Sequence, residues 1–172
     1  MVDNKWDVAD ILKQVLHREG WPTYTDDAQD RGGPTKGGIT LHTLNSWRGK
    51  QCSVKELKNL SIKEALCILE RRYVDCNGIH KLVDSPLKAQ VIDNAVLSGP
   101  YLAVQDLQQS VGTTSDGIIG PKTLRAIVDT GVELTVRKLA VVRSLRLARF
   151  VQSNPEQLKF LVGWLRRSLG FI

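Results

Sequence analysis

The chain has 172 residues, 42% hydrophobic and 24% charged, with a formal net charge of +6 and a sequence pI of about 9.4. That suffices for one ordinary domain, or one domain with a small appendage, whose core needs neither disulfides nor metal. The charge favours polyanionic surroundings without choosing among them, and three cysteines, Cys52, Cys67 and Cys76, with no CxxC spacing exclude a disulfide framework or a zinc knuckle and predict reduced thiols packed as small apolar groups.

The first segment, MVDNKWDVADILKQVLHREG, mixes acids with apolar residues and has no long apolar run, so it reads as neither signal peptide nor membrane span. Val8, Ile11, Leu12 and Val15 predict a helix over residues 7–19, ended by Gly20 at C′. From Trp21 to about Ile39 the period vanishes among Gly, Pro, Asp and Thr; short strands around Tyr24 and Ile39 would form one small β-hairpin. Residues 41–48 read as a short helix. Ser53…Glu56 and Ser61…Glu64 match the capping box. Ser85-Pro86 opens a helix that Ser98-Gly99-Pro100 stops, and a further helix covers 101–111. GTTSDGIIGPKTL is a loop that starts the next helix at Gly120-Pro121, and two more cover about 132–151 and 155–169. The class is mainly α with one small β-hairpin.

Glu19 stands out. It falls with Val8, Leu12 and Val15 on the apolar face of the first helix and lies in its last turn, where the macrodipole disfavours an anion. Helix arithmetic alone leaves two readings: a glutamate that snorkels to solvent, or a carboxylic acid held neutral, the form that general-acid cleavage of a glycosidic bond needs. The loop after it carries Asp26, Asp27 and Asp30 and closes with GGPTKGGIT. A phosphate loop is excluded, because Lys36 is followed by Gly37-Gly38 and not by Ser or Thr opening a helix. Asp26 and Asp27 read as turn-forming residues.

The stretch EGWPTYTDDAQDRGGPTKGGIT resembles the signature of glycoside hydrolase family 108, and the resemblance continues in order through LSIKEALCILERRYVD and VIDNAVLSGP. LQQSVGTTSDGIIGPKTLRAI and FLVGWLRR resemble the peptidoglycan-binding module that accompanies the family, so the likeness spans about residues 7–167. It implies a lysozyme-like helical fold with the β-hairpin near the active-site loop. It also implies a catalytic region over 1–98 and a peptidoglycan-binding-like region over 99–172, packed as one globule. The implied activity is that of a phage endolysin, an N-acetylmuramidase cleaving the β-1,4 bond between N-acetylmuramic acid and N-acetylglucosamine. Glu19 matches the catalytic glutamate. By the same likeness Asp30 and Thr35 position the attacking water, and Trp21, Tyr24, Thr40 and Asp93 contact substrate. The chain departs from the family pattern at Trp21-Pro22 and at Leu97, where the family has asparagine.

No metal or cofactor is implied. The expected partner is bacterial peptidoglycan, with no nucleic-acid motif, a monomeric state, synthesis in the host cytoplasm and action on the wall after membrane permeabilisation. Trp6, Trp47 and Trp164 fit core positions on helices. Arg143, Arg146, Arg149, Arg166 and Arg167 make the last third basic, a solvated face or an attractor of anionic outer-membrane lipid. The alternatives are a lytic transglycosylase, which also uses one glutamate, and a non-catalytic peptidoglycan-binding protein.

Overall fold

The computed structural model describes residues 6–26 and 33–172, and the chain divides into two compact units, Met1–Arg72 and Tyr73–Ile172. The described residues form nine α-helices and one three-stranded antiparallel sheet. The class is mainly α.

In the first unit, α1 (Val8–Arg18) is capped by the Asp7 carboxylate, which accepts the Ala9 N–H at 2.9 Å. Its buried stripe is Ile11, Leu12, Val15 and Leu16. The sheet then runs β1 (Tyr24–Thr25), β2 (Thr35–Lys36), β3 (Ile39–Thr40), paired in that order. The expected single hairpin is thus a three-stranded sheet whose middle strand, β2, lies between the two strands read from the sequence. Flanking proline and glycines disguise it. Lys36 pairs with Ile39, leaving Gly37-Gly38 as a two-residue turn. Both have left-handed φ, 52° and 78°, as a type I′ turn requires.

Helix α2 (Leu41–Arg48) follows directly, with Thr40 as N-cap. Helix α3 (Val54–Lys58) carries the complete capping box. At α4 (Ile62–Tyr73) only half of the expected box forms: Ser61 Oγ accepts the Glu64 N–H at 3.2 Å. The Glu64 carboxylate turns instead to Arg48, which donates from Nε and Nη2 at 2.8 Å each. Arg48 Nη1 also reaches Glu56 at 3.2 Å. One guanidinium therefore ties the end of α2 to the first turns of α3 and α4. Beneath lie Leu12, Ile39, Leu44, Leu57 and Ile68, all buried. Each contributes about 1.5–3 kcal/mol relative to exposure.

The second unit contains α5 (Pro86–Ser98), α6 (Pro100–Ser110), α7 (Pro121–Thr130), α8 (Val132–Ser153) and α9 (Leu158–Leu169). Every residue of α5 from Leu87 to Ala95 is buried, including Lys88, Gln90, Asp93 and Asn94. It packs on α6 and α8 and so belongs to this unit. The boundary between the two compact units precedes α5. The loop before α7 is pinned by Gln108, which is 1% exposed. Its Nε2 reaches Asp116 Oδ1, Ile118 O and Thr123 Oγ1, and its Oε1 accepts the Gly117 N–H.

Two packing expectations are corrected. All three cysteines are free, but Cys67 is exposed and Cys52 and Cys76 are half-buried, so none is a core filler. Trp47 is exposed and Trp6 and Trp164 are half-buried, and Trp6 lies before α1 rather than on it.

Candidate active site

Helix α1 ends by presenting Glu19, half-buried, at its C-cap. Gly20, at φ 86°, turns the chain; Trp21 N–H then donates to Leu16 O and Thr23 N–H to Gly20 O. The Trp21–Pro22 peptide is cis. The Gly37-Gly38 turn packs onto this corner, and Gly37 N–H donates to Thr23 O at 3.1 Å. A Cβ on Gly38 would stand 3.1 Å from Glu19 Cβ and 3.8 Å from Oε2; one on Gly37 would stand 2.7 Å from Trp21 Cε3. Left-handed φ and close approach are two separate reasons for glycine at these positions. The pair reads in sequence as loop punctuation; in the fold it is the surface against which Glu19 and Trp21 rest.

Strand register sorts the remaining residues. Thr25, Thr35 and Thr40 oppose one another across the sheet, and Tyr24, Lys36 and Ile39 form the alternating set. Ile39 on the second set is buried. Lys36 Nζ donates to the carbonyls of Lys58 and Leu60, at 2.6 and 2.9 Å, and lies 4.8 Å from the Trp21 ring centroid. Lys58 Nζ stands 4.5 Å from the Tyr24 ring. The Tyr24 hydroxyl donates to Asp26 at 2.9 Å; desolvation and then this carboxylate push the phenol above its ordinary pKa. Trp21 and Tyr24 are thus each stacked with a lysine, while Thr35 and Thr40 share the other face.

The threonines differ in what their hydroxyls do. Thr35 Oγ1 donates to Gly33 O at 2.9 Å, which leaves its lone pairs to accept from a water. Thr40 Oγ1 accepts the Thr43 N–H at 3.1 Å and lies 3.0 Å from Thr43 Oγ1, which Arg72 engages at 2.9 Å. Its first use is therefore to cap α2, a role legible from its place immediately before a predicted helix. Thr25 completes the row and was not singled out by sequence; a two-residue strand gives almost no periodic signal. Asp27 and Asp30 lie outside the described residues.

Asp93, expected at the substrate, lies on α5 of the second unit. It is 1% exposed on α5 and accepts from Arg143 Nη2 at 2.9 Å and Arg167 Nε at 2.8 Å. A carboxylate enclosed in that way holds α5 to α8 and α9. The same pairs correct the uniformly basic C-terminal face. Arg143 is 0% exposed, and its burial lowers its pKa against the opposing pull of Asp93. Arg146 is bound to both Asp106 oxygens, at 3.0 and 2.8 Å. Of the five arginines, Arg149 and Arg166 are exposed. Among the described residues no group of three or more His, Cys, Asp or Glu side chains is placed to hold a metal ion. No helix of the described residues is long and apolar enough to cross a membrane.

A glutamate thus closes the first helix against the glycine turn that joins the strands carrying Thr35 and Thr40. The family profile described as Glycosyl hydrolase 108 matches residues 12–99. The chain belongs to the glycosyl hydrolase 108 family. A second profile, Predicted Peptidoglycan domain, matches residues 102–169 of this family 108 glycosidase. The pairing makes it a peptidoglycan hydrolase. Its structure is similar to that of SagA from Brucella abortus, at 31% identity and a TM-score of 0.72, over 97% of this chain and 96% of that chain. Curated proteins gave no match.

Proposed function

We propose that this family 108 hydrolase is an N-acetylmuramidase. It cleaves the β-1,4 bond between N-acetylmuramic acid and N-acetylglucosamine, with Glu19 as general acid donating a proton to the leaving oxygen. The observation that carries the reading is the close packing of Gly38 on the Glu19 side chain at the half-buried end of α1. A carboxyl packed against backbone has few rotamers to lose when a sugar strand arrives. Thr35, with a hydroxyl proton engaged on Gly33, accepts from and orients the attacking water, and Asp30 shares that task. Trp21 and Tyr24, stiffened by Lys36 and Lys58, border the strand. Thr40 and Thr25 extend the hydroxyl row. Wall lysis for phage release is the biological setting that best fits such an activity.

Mass spectrometry of purified peptidoglycan after digestion tests the reaction. Hydrolysis yields fragments with a reducing N-acetylmuramic acid end. A 1,6-anhydro end would make the enzyme a lytic transglycosylase, and no new ends would leave it a binding protein.

A further inference from the structure

The second unit carries a surface trough of two adjoining hollows, one among α5, α8 and α9 and one between α6 and α8, whose chemistry differs. At one end is a hollow of about 290 Å³ lined by Leu97, Phe150, Gln157 and Trp164. At the other is a second hollow of about 290 Å³ lined by Gln105, Gln109, Ser115 and Arg149. Leu102 and Arg146 line both, so the two adjoin.

The aromatic end is built. Trp164 stands 6.0 Å from Phe150 and 5.8 Å from Phe160, centroid to centroid, in tilted pairs that fix the ring orientations. Phe150 and Phe160 nevertheless stay 46% exposed. Two exposed rings around a half-buried third on one helix pair are more than chance exposure of single apolar residues. Charge separates the trough from its surroundings. Its one lining carboxylate, Asp106, is neutralised by Arg146, whereas Arg149 is exposed at the polar end and Lys159 lies 4.9 Å from the Phe160 ring. Gln157 is half-buried, and its amide makes only a 3.5 Å contact with Glu156. The larger hollow near Val83 and Val128, about 490 Å³, has aliphatic walls, no ring and one cation, Lys81.

We propose that this trough is where the second unit holds peptidoglycan. A sugar ring of the glycan strand lies on Trp164 and Phe150, and the anionic stem peptide extends towards Gln105, Gln109 and Arg149. Sugar faces offer C–H groups to the negative faces of the rings, and the polar end supplies donors and a positive charge for carboxylates. The inference rests on the reading, given by the family match of residues 102–169, that this region binds peptidoglycan. It adds the place and the groups.

The test is co-sedimentation of the full chain, carrying Glu19→Gln to slow digestion, with purified insoluble peptidoglycan. Trp164→Ala is expected to weaken binding about tenfold, the loss typical of a central aromatic anchor. Trp164→Phe should restore most of it. Arg149→Glu, on an exposed side chain that leaves the core untouched, should weaken binding about fivefold and keeps the test valid if Trp164→Ala does not fold. If the parent binds and the folded variants bind equally well, the trough is wrong while wall binding stands. If the parent does not sediment with peptidoglycan, the wall-binding reading fails and the trough with it. If the variants lose affinity only for phosphatidylglycerol vesicles, the surface meets membrane and the proposal is overturned.

Discussion

Asp93→Asn keeps the shape of the side chain and removes its charge, which separates a structural role from substrate contact. Arg143 is fully buried; its Nη2 bonds Asp93, and its Nε and Nη1 have no hydrogen-bond partner among the described residues. Removing the charge leaves a guanidinium uncompensated in a dry interior, which costs about 3–5 kcal/mol. A chain of this length loses about 2–4 °C of Tm per kcal/mol. The melting temperature by circular dichroism should therefore fall by about 10 °C. Adding Arg143→Met removes the stranded cation and should recover more than half of the loss, since an apolar replacement of a buried pair is often neutral. Wall clearing measured well below both melting temperatures should match the parent. Unchanged melting together with lost clearing would refute this reasoning and return Asp93 to the substrate.

Gly38→Ala adds a Cβ 3.1 Å from Glu19 Cβ at φ 78°. Clearing should fall by about 100-fold, the scale of an ångström-sized misplacement. Gly33→Ala, also at positive φ but facing open space, is the control that carries only the backbone cost of about 1–2 kcal/mol. Thr35→Ala should lower kcat with little change in KM, and Thr35→Ser, which retains the hydroxyl, should restore it. Equal kinetics for all three would remove Thr35 from the reaction. Acid unfolding should report the Arg48 cluster. Arg48 holds the Glu64 carboxyl below its ordinary value, and the Ser53 backbone N–H, with Lys50, lowers Glu56 to about 2. Depressed carboxylates contribute stability that is present above their unfolded pKa of about 4.5 and lost as pH falls through their folded values, which for Glu56 is about 2. Glu64→Gln should therefore lower Tm at pH 7 and flatten its decline below pH 4.5; an identical decline would contradict the assignment.

Local signals were readable and distant ones were not. The stops at Gly20 and Gly99, the Ser53 box and the Ser85-Pro86 start each depend on groups within four residues, so the helix order could be read directly. Strand β2 could not, because Thr35-Lys36 has no period of its own and exists only through its partners on either side. The burial of Arg143 was hidden for a related reason: its counter-ion lies on α5, fifty positions earlier in the chain. Gln90, Asp93 and Asn94 are likewise buried on α5, which no local signal announces. At the candidate site, helix arithmetic left Glu19 two readings, and only the resemblance chose between them. The separation of Tyr24 from Thr35 and Thr40 follows from strand register, which no short motif encodes.

The most direct measurement is clearing of purified peptidoglycan by Glu19→Gln beside the parent, with melting curves for both. The account predicts an equally folded protein that still sediments with the wall and releases no reducing ends. A Glu19→Gln protein that digests the wall at the parental rate would contradict it.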